Sequence, residues 1–151
     1  MVTPSSLKSP PSPKKGDEVN GEYVLEAEIG RGATSVVHRA TRLRDGGQVA
    51  VKLMLPEILE TDGVLERFER GALLASSLTS SHSVEILHFG TQFSGEETHP
   101  LPYIVMELLE GQDLFEYLLD KRTLAAEEIS HLLLQALTSL EEAHTKSIIH
   151  R

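Results

Sequence analysis

Lys52 constrains this chain more than any other residue. It follows Val49-Ala50-Val51 in the apolar run Gln48–Leu55, which reads as a strand closed by Pro56. Side chains alternate across a strand. A lysine on a strand that alternates into a core needs an anion, because an unpaired buried ammonium is costly. Twenty residues before Lys52 stands Gly32, inside Gly30-Arg31-Gly32-Ala33-Thr34-Ser35, with Val37 two residues further on. Glycines let backbone N–H groups approach phosphate oxygens closely, since no Cβ stands in the way.

The flanks decide what kind of glycine-rich turn this is. Tyr23–Gly30 and Ser35–Arg42 both read as strands, so the turn sits in a hairpin. No Gly-Lys-Ser/Thr ends it, which excludes the Walker loop. A strand rather than a helix follows it, which excludes the dinucleotide fingerprint.

The rest of the chain supplies the frame. Asp45-Gly46-Gly47 is a hairpin signal between the second and third strands. From Thr61 to about Leu78, the residues Leu65, Phe68, Ala72, Ala75 and Leu78 recur at helical spacing. Two further strands, Val84–Gly90 and Pro102–Leu108, flank a polar loop over 91–101. Asp113 and Glu116 have the form of a capping box that opens a short helix. A long helix from about Ala125 to Thr145 carries Ile129, Leu132, Leu133, Ala136, Leu137 and Leu140 on one face. Residues 1–16 read MVTPSSLKSPPSPKKG, a segment with little to bury, and a disordered leader is drawn to residue 18. The element order predicts an α+β fold: an antiparallel sheet with one helix against it, then the start of a helical region.

Composition narrows the function classes. The 151 residues are 40% hydrophobic and 25% charged, which suits a soluble domain with its own core. A formal net charge of -9 argues against a nucleic-acid partner. The chain has no cysteine, which removes disulfides and thiol chemistry. Its seven histidines show no paired ligand spacing, so no metal site is expected. No apolar run approaches the roughly 18 residues of a membrane span, and the N-terminus has no signal-like stretch. The expected setting is the cytoplasm.

The glycine-rich loop followed by Val49-Ala50-Val51-Lys52 resembles a bacterial serine/threonine protein kinase, and the likeness covers residues 22–151. It implies a transferase that moves the γ-phosphate of ATP to serine or threonine of a protein substrate. Gly30, Arg31, Gly32, Ala33, Thr34 and Ser35 would cover the phosphates, and Lys52 would contact the α- and β-phosphates. Ile29, Val37 and Ala50 would roof the adenine. Tyr103–Gly111 is similar to the family's fifth strand and hinge. On that match Met106 guards the back of the pocket, while the Glu107 carbonyl and the Leu109 N–H pair with the adenine edge. Asp113 falls where the family often places a ribose contact. The implied architecture is a five-stranded antiparallel N-lobe with one helix and a hinge (19–111), then the start of the C-lobe with two helices (112–151).

The chain ends Ser147-Ile148-Ile149-His150-Arg151, similar to the lead-in to the catalytic loop H-R-D-x-x-x-x-N. His150 would be structural, and the catalytic aspartate and Mg²⁺ ligands would follow Arg151. No catalytic or metal-binding residue is therefore expected within these residues, and Mg²⁺ only in a complete kinase.

Two positions depart from the family pattern. Ser35 replaces the third glycine of the loop. More serious, Arg67-Phe68-Glu69-Arg70-Gly71-Ala72 resembles R-F-x-R-E-A with Gly71 where the lysine's partner glutamate belongs. Glu69, two residues away, points about 200° around the helix. A glycine also costs roughly 1 kcal/mol in mid-helix relative to alanine. Intact Lys52 and hinge favour a nucleotide-binding kinase module; Gly71 favours a degenerate, pseudokinase-like binding or scaffold module. In a longer chain that includes the catalytic loop, Gly71→Glu is expected to strengthen ATP binding or restore activity. Titration with ATP and a phosphotransfer assay check this, and no gain in either would sink it.

Overall fold

Alternation of apolar residues builds the sheet. In the computed structural model, which describes residues 12–59, 61–93 and 100–149, the strands are β1 (Glu18–Val19), β2 (Tyr23–Arg31), β3 (Ser35–Arg42), β4 (Gln48–Met54), β5 (Ile86–Phe93) and β6 (Pro100–Glu107). They pair antiparallel throughout, in the order β1-β2-β3-β4-β6-β5. Val36 and Ala40 of β3, Val49, Val51 and Leu53 of β4, and Tyr103 and Val105 of β6 bury themselves in one core. Each such large side chain contributes about 1.5–3 kcal/mol of transfer free energy. At the β3–β4 turn the Asp45 carboxylate accepts the Gly47 N–H and pairs with Arg42. Gly46 takes φ +73 there, a conformation that favours glycine.

The sheet has six strands rather than five. The extra strand, β1, straddles the end of the segment read as leader, with Glu18 inside it and Val19 beyond it. Gly16 N–H donates to the Leu25 carbonyl and Leu25 N–H to that of Asp17, while Val19 is fully buried. Ordered structure thus starts before the end of the segment read as leader. A two-residue strand behind a Pro/Ser/Lys segment has no periodicity to betray it. Residues 1–11 of the leader lie outside the described residues.

The β5–β6 hairpin is also longer than expected. Thr91 pairs with Pro102, Gln92 with Leu101 and Phe93 with Pro100, all within the segment read as loop or at its end. Prolines are tolerated here because β4 pairs with β6 only from Tyr103 to Glu107. At Pro100 and Pro102 the missing N–H removes no bond to β4.

Three helices follow the pattern of the sequence with shifted ends: α1 (Val64–Ser76), α2 (Leu114–Lys121) and α3 (Ala126–Thr145). Gly63, at φ +71, is the N-cap of α1, so Thr61 and Asp62 stay outside the helix. Asp113 caps α2 by accepting the Glu116 N–H at 2.8 Å, one of the two bonds of the expected box. Glu128 accepts the Ala125 N–H at the start of α3. The apolar face of α3 is largely open, with Leu133 and Leu137 each more than half exposed, as are Phe115 and Leu119 on α2.

His38 is the odd member of the core face of β3. It lies between Val36 and Ala40, is buried, and neither ring nitrogen has a partner among the described residues. Desolvation holds its pKa below the ordinary 6.5, with the nearby Glu28 acting in the opposite direction. A depressed folded pKa means that the unfolded chain binds the proton first, so stability is full above pH 6.5 and is lost as pH falls below it. His38→Leu is expected to remove that loss. Its gain over wild type in melting temperature should widen from pH 7.5 to pH 5.5, and a gap constant with pH would refute the assignment.

A lysine cavity between the sheet and helix α1

Beneath the face of the sheet opposite the core lies a cavity of about 590 Å³, walled by α1. The sheet contributes Val37, Lys52, Met54, Ile104 and Met106, and Thr34 reaches it from the glycine-rich turn. From α1 come Val64, Arg67, Phe68, Gly71, Ala72 and Ala75, the i, i+3, i+4, i+7 stripe of one helix face. Among the described residues no carboxylate lines it.

Lys52 is half-buried in this wall because β4 alternates: Val51 and Leu53 enter the core, so Lys52 must face the helix. Its ammonium sits 5.9 Å from the centroid of the Phe68 ring. A cation over an aromatic face gains about 0.5–1 kcal/mol at an exposed site, far less than a buried charge requires. Among the described residues no carboxylate lies within ion-pair distance of it.

The turn above closes on itself through Gly32 N–H to the Ser35 carbonyl at 2.8 Å, and Leu55 N–H donates to the Thr34 carbonyl. Ser35, in the third glycine position, is buried, whereas Gly32, Ala33 and Thr34 are exposed. Gly30 and Gly32 need no left-handed φ. A Cβ at either would meet its nearest neighbour at 3.9 and 3.8 Å, ordinary contact distances. Nothing in the folded chain itself requires glycine at these two positions; what they leave clear is the space outside the turn. Arg31 is turned back along the strand in an exposed ion pair with Glu28 at 2.7 Å.

The remaining candidate residues are not among those lining the cavity. Ala50 is buried and pairs with Met106 across β4 and β6. Glu107 is tied at both ends of its residue: its N–H donates to the Glu85 carbonyl and its carboxylate accepts the Glu85 N–H. Ile29 and Leu109 are more than half exposed. Asp113 caps α2 through one carboxylate oxygen, Oδ1. His150 and Arg151 lie outside the described residues. No group of three or more His, Asp or Glu residues is gathered as a metal site among the described residues.

Gly71 stands on the cavity face of α1, and a Cβ built on it meets nothing within 4 Å. Glu66, Glu69 and Arg70 line a separate groove with Leu73 and Phe89, on the other side of the helix. The helix carboxylates therefore point away from Lys52, as the angular argument requires. The far end of α1 is held by α3. Glu142 accepts the N–H of Thr79, the Thr79 hydroxyl and the N–H of Ser80, and pairs with Lys146 at 2.6 Å. Lys146 also donates to the Ser77 carbonyl. The serine- and threonine-rich turn after α1 is thus a docking loop. The i, i+4 spacing of Glu142 and Lys146 was the available signal, but nothing local in sequence names its partner.

With this geometry in view, the comparisons with known proteins are decisive. The protein kinase domain family matches residues 23–151. The chain belongs to the protein kinase family. This kinase domain is 34% identical over 134 residues to the probable serine/threonine-protein kinase PknB of Bifidobacterium longum, covering 87% of the chain and 19% of that protein. It is 32% identical to the serine/threonine-protein kinase pkn3 of Myxococcus xanthus (90% of the chain, 24% of that protein). With the serine/threonine-protein kinase PrkC of Bacillus subtilis the identity is 30% (90% and 20%). The chain thus spans about a fifth to a quarter of the length of these relatives. The kinase domain of Mycobacterium tuberculosis PknI superposes with a TM-score of 0.76 at 23% identity, covering 93% of this chain and 55% of that one, a likeness of fold. No helix among the described residues is long and apolar enough to cross a membrane.

The Glu142 contacts carry a pH signature. The Lys146 ammonium first, then the Thr79 N–H, hold its carboxyl at about 2 instead of the ordinary 4.5. With the folded pKa depressed, its contribution is complete above pH 4.5 and fades as pH falls toward 2. Glu142→Ala is expected to lower the urea midpoint at pH 7, and the deficit relative to wild type should shrink between pH 4.5 and pH 2. A deficit that does not change with pH would show that the carboxylate charge is not what holds the loop.

Proposed function

We propose that this domain is the nucleotide-binding half of a serine/threonine protein kinase, using ATP as phosphoryl donor for a protein substrate. One observation carries the reading: a half-buried lysine in a cavity with no lining carboxylate among the described residues, beneath a turn whose two glycines leave the space outside it clear. Lys52 supplies charge for phosphate oxygens, and the glycine-rich turn of residues 30–35 supplies main-chain N–H groups. Ile29, Val37 and Ala50 supply an apolar cover for a base. Met106 lies at the back of the cavity, with the main chain of Glu107 and Leu109 as the adenine-pairing edge and Asp113 near the ribose. Mg²⁺ belongs to this reading only together with the ligands that the family places after the position of Arg151.

The 151 residues by themselves are expected to bind nucleotide and to transfer no phosphate at a useful rate. Phosphoryl transfer rests on positioning and charge neutralisation by the catalytic-loop aspartate and the metal ligands. The open apolar face of α3 is the surface that further helical-lobe residues would cover. The cytoplasm is the setting that fits this chemistry.

Gly71 supports a second reading. With no helix carboxylate to orient Lys52, the domain would serve as a non-catalytic, pseudokinase-like binding or scaffold module. Thermal unfolding with and without Mg-ATP separates the two. Ligand at about 100 times Kd stabilises by about 2.7 kcal/mol, or about 5–10 °C for a domain of this size. That shift is expected in wild type and should be lost in Lys52→Ala. Absence of a shift in wild type would remove nucleotide binding and leave the scaffold reading.

A further inference from the structure

We infer that Arg67 is a second phosphate-binding cation of this site, acting beside Lys52 where a glutamate would otherwise hold the lysine. The inference rests on the nucleotide reading and adds a residue to it. Arg67 precedes Gly71 by one helical turn, so both lie on the α1 face that lines the cavity with Lys52 and Thr34. Among the described residues the cavity thus holds two cations, no lining carboxylate, and mostly apolar walls with Thr34 as a further polar side chain.

Two like charges on one cavity repel unless an anion lies between them. Nothing on α1 supplies it, since Glu66 and Glu69 line the opposite groove. The local setting of Arg67 sharpens the point. A Cβ on Gly63 would lie 3.3 Å from an Arg67 guanidinium nitrogen, so the side chain folds back over the start of its own helix. The helix start carries no side-chain cap and is the positive end of the helix dipole, an unfavourable place for a cation. Among the described residues Arg67 has no ion pair.

An extended polyphosphate satisfies all of these features at once. A guanidinium offers a planar fork of donors to phosphate oxygens, whereas the ammonium of Lys52 acts as a point charge. A helix glutamate at position 71 would have neutralised one of these charges. Its absence leaves the site with more positive charge for the nucleotide, at the cost of a less constrained lysine. Val37 and Met106 line the same cavity but carry no charge, so Arg67 should affect the phosphates and not the base.

The test is equilibrium binding to the chain of ATP, adenosine and inorganic tripolyphosphate, in wild type, Arg67→Gln, Arg67→Lys and Lys52→Gln, with melting temperatures confirming folding. Loss of one charge-assisted contact predicts about a tenfold weaker Kd for ATP and tripolyphosphate in Arg67→Gln. Adenosine should be unaffected, and Arg67→Lys should recover part of the loss. A Lys52→Gln chain that loses ATP while Arg67→Gln keeps it would overturn this inference and leave the nucleotide reading standing. Tripolyphosphate binding that depends on Arg67 in a chain that ignores ATP and adenosine would do the reverse. An equal loss for adenosine in Arg67→Gln would mean a general structural defect and also overturn the assignment. A carboxylate introduced by Gly71→Glu would engage Arg67 as well as Lys52, so the Arg67 variants are read in the wild-type background.

Discussion

The two-sidedness of β4 is the constraint on which this structure depends. The strand is paired on both edges, with β3 on one side and β6 on the other. Val49, Val51 and Leu53 close the core on one face, which commits Lys52 to the other. A shift of register by one residue would send the ammonium into the apolar core and the valines toward α1. The burial that stabilises the sheet is therefore the same constraint that aims the lysine. Position in the site is a by-product of the core, and the glycine-rich turn follows because β3 is the next strand in the ladder.

This explains which parts of the structure were legible in the sequence. Period-2 alternation around Val49–Leu53 and Val36–Ala40 marks β3 and β4, and period-3.6 spacing marks α1 and α3. Family spacing then joins the turn, Lys52 and Met106. What stayed hidden lacks a local pattern. β1 is two residues held by main-chain bonds to β2, and the rungs through Pro100 and Pro102 depend on β4 ending its pairing at Tyr103. The start of α1 is displaced by the left-handed Gly63, a property of backbone geometry that hydrophobic spacing does not report.

The site shows the same division. Gly71 was readable as a departure because its neighbours Arg67, Phe68 and Arg70 keep the family pattern. Arg67 was readable only as part of that pattern. Its role depends on which helix face meets the cavity, and the four-residue spacing to Gly71 was the sequence signal for that. His38 was legible in principle too, since Val36 and Ala40 put it on the buried face. That its ring has no partner among the described residues belongs to tertiary packing and has no trace in sequence.

The attachment of α1 is asymmetric. Its C-terminal end runs into a loop gripped by Glu142 of α3 and by Lys146 just after that helix, while its N-terminal end starts at an uncapped glycine. Thirteen residues make a rod of about 20 Å. A rod clasped at one end is a lever: a tilt of a few degrees at the clasp becomes a displacement of an ångström or more at the other tip. Arg67 rides near that tip, Gly71 about halfway along, and Ala75 hardly moves. The spacing between the two cations of the cavity thus answers to an angle at the far end of the helix as well as to the contacts each cation makes nearby.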